Sequence, residues 1–196
     1  MSEELEFVFS FRSPYAWIAM RRVLPLVHPE TRIRWTPFLP RPSFRNFGAV
    51  VLGKVRHTLQ DVLRLSEAYQ LPLGRPPIDD SDWHLAHAAF LWADRAGHGP
   101  AFARALFDER WVKSQLVSTD AAIGRVAAAV GLDGNAAIAA ANDAELRAEL
   151  TALVETNYEE RSVFGVPMFI LPSGEQFWGH DRMEWAIRRG TVRAAA

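Results

Sequence analysis

The sequence predicts an α/β protein whose sheet is split between the two ends of the chain, with an all-helical segment between them. Three observations carry this. Residues 5–39 read as strand, helix, strand. Residues 166–187 read as strand, strand, helix. Between about 54 and 161 every apolar pattern has helical rather than alternating spacing.

Leu5, Phe7, Phe9 and Phe11 alternate with Glu6, Val8 and Ser10, as in a pleated strand with one buried face. Ser13-Pro14 is a helix start, a hydroxyl at the cap and a proline at the first helical position. Tyr15, Ile18, Ala19 and Val23 follow at helical spacing, to about Val27, and His28-Pro29-Glu30 ends the helix. Residues 32–39 alternate charged and apolar side chains as a second strand, with Pro37 at its end or at an edge. The order β–α–β favours parallel strands joined by a right-handed crossover. Residues 40–53 read as a loop anchored by Phe44, Phe47 and Val50.

Helices are then expected over 54–70, from Asp79 or Ser81 to the break at Gly97-His98-Gly99, over 100–115, from Ser118 or Thr119 to Gly131, over 135–141 and over 143–161. Residues 166–171 form an apolar strand, 172–175 a turn and 176–178 the return strand of a hairpin. Gly179-His180-Asp181 opens a last helix carrying Met183, Trp185, Ala186 and Ile187, and residues 191–196 are expected to fray.

Composition bounds the function. The chain has 196 residues, 49% of them apolar, enough for a sizeable core, and a net charge of −1. No global field points to nucleic acid or an anionic membrane. There are no cysteines, which excludes disulfides, zinc–thiolate sites and dithiol redox chemistry by the protein's own sulfur. The acidic start Met1-Ser2-Glu3-Glu4 is unlike a signal peptide, and no charge-free run reaches membrane-spanning length. A cytoplasmic location is expected.

A β–α–β unit followed by a β–β–α unit is the thioredoxin element order. The reading is therefore a thioredoxin-like domain over 1–47 and 162–196 with an inserted helical domain over 48–161. In that fold the reactive position opens the first helix, opposite a proline at the start of the third strand, usually cis. Ser13 fits the first role and Val166-Pro167 the second. A cis proline leaves the backbone of Val166 free to pair with an extended peptide. Ser13 as a plain cap, and Pro167 as an ordinary trans proline at a strand edge, are the plainer readings.

The resemblance becomes specific in four places. Ser13-Pro14-Tyr15-Ala16-Trp17 resembles the Ser-Pro-Tyr/Phe-Ser-Tyr signature of the 2-hydroxychromene-2-carboxylate isomerases. Residues 163–169, Val-Phe-Gly-Val-Pro-Met-Phe, resemble the family's Val-Phe-Gly-Val-Pro-Thr-Phe. Residues 177–182, Phe-Trp-Gly-His-Asp-Arg, resemble its Trp-Trp-Gly-Asn/Gln-Asp-Arg. Ala105-Leu106-Phe107 with Arg110-Trp111-Val112 is similar to a segment of its insert. Ser10, Met168 and His180 depart from the family's aspartate, threonine and amide.

This resemblance, shared with kappa-class glutathione transferases, implies glutathione as a borrowed thiol and a homodimer. Ser13 would hydrogen-bond the sulfur and favour the thiolate, and the Val166 backbone beside Pro167 would pair with the cysteinyl unit. Asp181 would receive the γ-glutamyl ammonium, with His180 and Arg182 beside it. The plainer reading of Asp181 is an N-cap. The implied reaction is cis–trans isomerisation of a planar aromatic carboxylate. A kappa-like transferase or peroxidase, or a non-catalytic thioredoxin-fold binding protein, are the alternatives. Lys54 would meet the substrate carboxylate or be a solvated helix residue, and Trp35 and Trp178 would border the site, although tryptophans are more often core.

Two further patterns are set aside. Gly48 to Lys54 satisfies the first part of a phosphate-loop pattern, but Val55 replaces the metal-binding hydroxyl and no strand precedes it. His84 and His87 lie one turn apart without a third ligand at suitable spacing, so they read as surface or cap histidines and no metal is expected.

Overall fold

The computed structural model describes residues 4–40, 48–77, 82–189 and 191–195. Strand β1 (Glu4–Phe9) is the inner strand on which the rest is built. Strand β2 (Arg32–Pro37) lies parallel to it, Phe7 opposite Trp35. On the other side β3 (Met168–Ile170) runs antiparallel, Phe7 opposite Phe169, and β4 (Gln176–Trp178) completes the hairpin. The order is β2-β1-β3-β4.

The alternation predicts one buried face for β1, yet both are buried. On one face Phe7, Phe9, Trp35, Phe169 and Phe177 join the large apolar cluster. On the other, Val8, Phe38, Val163, Met168 and Ile170 form a smaller one. An inner strand sheathed on both faces has no solvent side for polar residues, so Glu6 on the second face must find partners.

The first helix is shorter than its pattern. α1 (Pro14–Ile18) passes into a π-helical turn over Ala19–Val23 and a 3₁₀ turn over Leu24–Leu26. Pro25 has no N–H to donate and crowds the carbonyl a turn earlier, so the hydrogen-bond ladder widens and then stops. α2 (Gly48–Ala68) starts six residues before the expected 54. The run that mimics a phosphate loop is therefore the opening of a helix, not a loop between a strand and a helix. Of the expected loop anchors, Phe44 and Phe47 lie outside the described residues.

α3 (Trp83–Arg95) is capped by Asp82, which accepts from the amides of His84 and Leu85. The expected starts Asp79 and Ser81 lie outside the described residues. α4 (Gly99–Trp111), α5 (Asp120–Ala129, capped by Thr119), α6 (Gly134–Asn142, capped by Asp133) and α7 (Ala144–Glu159, capped by Asp143) follow. Each oxygen cap satisfies an otherwise orphaned N–H. The end of α7 lies over the second sheet face, with Tyr158 against Phe38. α8 (His180–Arg188) packs beside the first helix. Among the described residues no helix is long and apolar enough to cross a membrane.

The tail does not fray as expected. His28 donates to the Arg193 carbonyl and Ala195 to that of Leu26, and Val192 is buried.

Glu6 is 2% exposed. Its carboxylate accepts from Thr36 Oγ1 at 2.6 Å, Arg34 Nη2 at 2.7 Å and Arg161 Nη1 at 2.8 Å, with a second bond from Arg161 Nη2. Burial alone would raise its pKa, but the hydrogen bonds from Arg161 and Thr36 and the two cations outweigh that and hold it below the usual range. Arg161, just past α7, thereby ties that helix to the central strand.

Arg161→Met should lower stability at pH 7 by about 2 kcal/mol, because it strips one partner from a buried charge. Glu6→Leu with Arg161→Met should recover much of that. Glu6 has a depressed folded pKa, so its stabilisation is present above its unfolded pKa and lost as pH falls through the lower folded one. Urea midpoints of the two variants at pH 7 and below pH 4 check both statements, and an equal deficit at both pH values would contradict the assignment.

Candidate active site

Past Phe9 the chain leaves the sheet, and the Ser10–Ser13 turn carries it into α1. The Ser13 amide donates to the Ser10 carbonyl at 2.9 Å, and Ser10 Oγ accepts from the Arg12 amide at 3.4 Å. Ser13 has extended dihedrals and its Oγ accepts from the Ala16 amide at 3.2 Å, so it is a working N-cap. Its hydroxyl also donates, at 3.4 Å, to the Val166 carbonyl across the molecule. The Val166–Pro167 bond is cis. The Pro167 carbonyl accepts from the Gly179 amide at 2.9 Å, which joins the proline loop to the start of α8.

Two glycines make this junction possible. Gly179 has φ +106°, and a Cβ there would lie 2.7 Å from Asp181 Oδ1. A Cβ on Gly165 would come within 2.9 Å of Trp178 Nε1. Trp178 is exposed and packs edge-on against exposed Phe164 beside the loop.

The expected site residues divide into three groups. Ser13, Val166 and Pro167 come together. His180, Asp181 and Arg182 follow Gly179 and so lie one hydrogen bond from the proline loop. Asp181 is exposed and paired with Arg182 at 3.0 Å. His180, however, is buried: its ring stacks on Tyr15 and meets Tyr69 edge-on. Burial lowers its pKa, against the pull of Asp181, Asp61 and Glu184. Lys54 is exposed on α2, two turns before Asp61. Asp61 accepts from Tyr15 Oη at 2.8 Å, latching α2 to α1. Burial and then Asp61 push the Tyr15 phenol up to about 12, so it remains a donor. Trp35 does not border the site. It shares a face with Phe7 and meets Phe7 and Phe9 edge-on in the core, because its strand parity turns it inward.

Two residues that sequence reasoning missed bear on the turn. His87 is fully buried, not a surface or cap residue. Its Nδ1–H donates to the Trp83 carbonyl at 2.6 Å and its Nε2 accepts from the Phe11 amide at 3.2 Å. Trp111 Nε1–H donates to the Phe11 carbonyl at 3.1 Å. The signal for His87 is its spacing, four residues after Trp83 and three before Phe90 on the core face of α3. With both nitrogens committed, His87 cannot pair with His84 around a metal. Among the described residues no group of three or more His, Asp or Glu is placed to hold one.

Arg110, beside Trp111, stacks on the rings of Trp83 and Trp111. Burial first, then the charge of Arg12, brings its pKa to about 10, so it stays cationic. A surface cleft of about 430 Å³ lies elsewhere, beside Glu6, Arg34 and Arg161. It flanks the opposite end of β1, and the Glu6 carboxylate in it is already paired with both arginines.

Comparison with known proteins supports the fold. The family model described as the DSBA-like thioredoxin domain matches residues 4–186. No curated protein matches the chain in sequence. Among solved structures, a 2-hydroxychromene-2-carboxylate isomerase is 22% identical with a TM-score of 0.80, over 96% of each chain. A probable DsbA oxidoreductase from Streptomyces coelicolor is 16% identical, TM-score 0.75, over 96% of this chain and 88% of that one. The cytosolic disulfide reductase DsbM from Pseudomonas aeruginosa, solved with GSH, is 15% identical, TM-score 0.66, over 96% of this chain and all of that one (100%).

The environment of His87 makes stability pH-dependent. Burial, opposed by its bond to Trp83, brings its pKa to about 4 in the fold. Unfolded, it returns to about 6.5, so between these values the unfolded chain binds more protons. The contribution is full above about 6.5 and is lost on acidification towards about 4, up to roughly 3 kcal/mol. Unfolding free energies of wild type and His87→Gln across that window should converge as pH falls; a constant difference would show that His87 does not titrate there.

Proposed function

The chain belongs to the DSBA-like thioredoxin family, and from that premise we propose that it is a glutathione-dependent isomerase in which Ser13 activates the borrowed thiol. The observation that carries this reading is the contact of Ser13 Oγ with the Val166 carbonyl beside cis Pro167, in a chain with no cysteine. A family scaffold without a thiol of its own has a polar hydrogen at the helix start.

The residues fit glutathione by the chemistry of their donors. Ser13 has one hydroxyl proton, held at a long 3.4 Å by Val166. Val166 is half-buried, and its carbonyl and amide are the edge an extended peptide pairs with. A cysteinyl N–H donated to the Val166 carbonyl would replace the Ser13 hydroxyl there. The freed hydroxyl would then turn to the sulfur, and its hydrogen bond would favour the charged form. Ala16 N–H keeps the cap oxygen oriented during that exchange. Arg12, next to Ser13, and Arg110, close enough to Arg12 to feel its charge, add positive charge near the turn. Asp181, exposed at the start of α8, would receive the γ-glutamyl ammonium with Arg182 beside it, and Lys54 would meet the substrate carboxylate. When bound, glutathione supplies the thiolate nucleophile that cis–trans isomerisation of a conjugated aromatic carboxylate requires. A cytoplasmic homodimer completes the proposal.

Ser13→Ala should cost about 1 kcal/mol of stability through the lost cap, but about 100-fold or more in turnover through the lost donor. Ser13→Asp should restore the cap and not the activity, since its charge opposes a thiolate. Titration calorimetry with glutathione, then assays on a benzylidenepyruvate and on chlorodinitrobenzene, check the reading. Binding without isomerisation but with conjugation would replace isomerase by transferase. Absence of binding at millimolar glutathione would replace both by a non-catalytic role.

A further inference from the structure

We propose that the helical segment positions Ser13 through two side chains, His87 of α3 and Trp111 of α4, which between them hold both backbone polar groups of Phe11. Phe11 lies two residues before Ser13 and beyond the end of the β1 ladder, whose last bond to β2 is from the Phe38 amide to the Phe9 carbonyl. It is fully buried, so its N–H and C=O cannot reach water. His87 Nε2 takes the first and Trp111 Nε1–H gives to the second. Only one neutral tautomer of His87 serves, because Nδ1–H is committed to the Trp83 carbonyl.

Packing alone does not account for these two residues. Besides the His87 ring, the rings packed against Phe11 are those of Phe9, Phe90 and Phe107. A histidine and an indole stand where Phe11 needs an acceptor and a donor. Trp111 also stacks on Trp17, so one side chain touches the turn before Ser13 and the helix after it. With the Ser13 amide tied to the Ser10 carbonyl, the Ser10–Ser13 turn is held from within and from the insert. A fraction of an ångström there changes whether a hydroxyl at 3.4 Å from Val166 can reach a sulfur in its place.

His87 and Trp111 are positioning residues. Their effect on thiol chemistry rests on the proposed role of Ser13, whereas their hold on the turn does not.

The test compares His87→Phe, Trp111→Phe and His87→Gln. Glutamine keeps an acceptor and a donor, and Trp111→Phe keeps an aromatic ring on Trp17 while losing the donor. The readouts are amide hydrogen exchange over residues 10–17 and the thiolate absorbance of bound glutathione against pH. The two phenylalanine variants should exchange the Ser13 amide about tenfold faster or more and raise the bound thiol's pKa by about one unit. His87→Gln should return both towards wild type. Folded variants with wild-type exchange at Ser13 and an unchanged thiol pKa would overturn the proposal. If His87→Phe does not fold, Trp111→Phe decides by the same readouts. If wild type does not lower the thiol's pKa, the reading of Ser13 fails, while exchange at Ser13 still decides whether the two side chains hold the turn.

Discussion

The hydrogen bond from the Phe11 amide to His87, with its counterpart from Trp111 to the Phe11 carbonyl, follows from a single constraint. β1 is buried on both faces, and the chain must leave it still buried. Inside the sheet the ladder satisfies each amide and carbonyl. Beyond Phe9 the ladder is gone but water has not yet been reached. Partners must then come from side chains, and an unpaired buried amide costs about 1–3 kcal/mol. The helices between the two halves of the sheet provide those partners. The insert therefore completes the backbone hydrogen bonding of the segment that leads to Ser13.

The other end of β1 meets the same constraint differently. Glu6 faces the second side of the sheet, where α7 ends, and a carboxylate there survives only if fully paired. Two arginines and a threonine do this, from β2 and from the residue after the α7 turn. The central strand is thus fastened at both ends by polar contacts to the helical segment. The aromatic contacts between set the shape: Phe9 touches Trp35, Phe90 and Phe107 at centroid distances of 5.0–5.7 Å.

The element order was legible from periodicity, since strands at both ends and helices between need only local patterns. Ser13 as a cap was equally legible, because the cap is a local device of four residues. What was not legible depends on which element lands on which. Trp35 reads as a possible border until β2 pairs in register with β1, which puts it beside Phe7. His180 reads as a site residue beside Asp181, and that it lies buried against Tyr15 and Tyr69 is a contact between elements that no local pattern carries. The start of α2 at Gly48 escaped because two glycines in a short run resemble a loop, whereas a long helix tolerates them at about 1 kcal/mol each. His87 had a positional signal on its helix face, but a histidine on an apolar face announces burial, not its partner. That partner is 76 residues away.

Ser13 can be read as a cap or as the proposed thiol-activating hydroxyl, and the two readings use different parts of the same group. A serine oxygen has two acceptor sites and one proton. The cap uses an acceptor site, towards Ala16, and leaves the proton to point at another partner. It points at Val166, the residue whose backbone a peptide ligand would engage. An alanine would lose both functions, while an aspartate would keep the cap and present charge without a proton. A cysteine at this position would bring its own thiol, which this chain lacks everywhere. A serine keeps the capping bond and offers one donor to an anion supplied from outside. The proton now resting on a carbonyl at 3.4 Å is weakly held, and an arriving peptide N–H can displace it. The observed cap and the proposed donor role therefore fall to one residue, which follows a turn bonded to His87 and Trp111 of the helical segment.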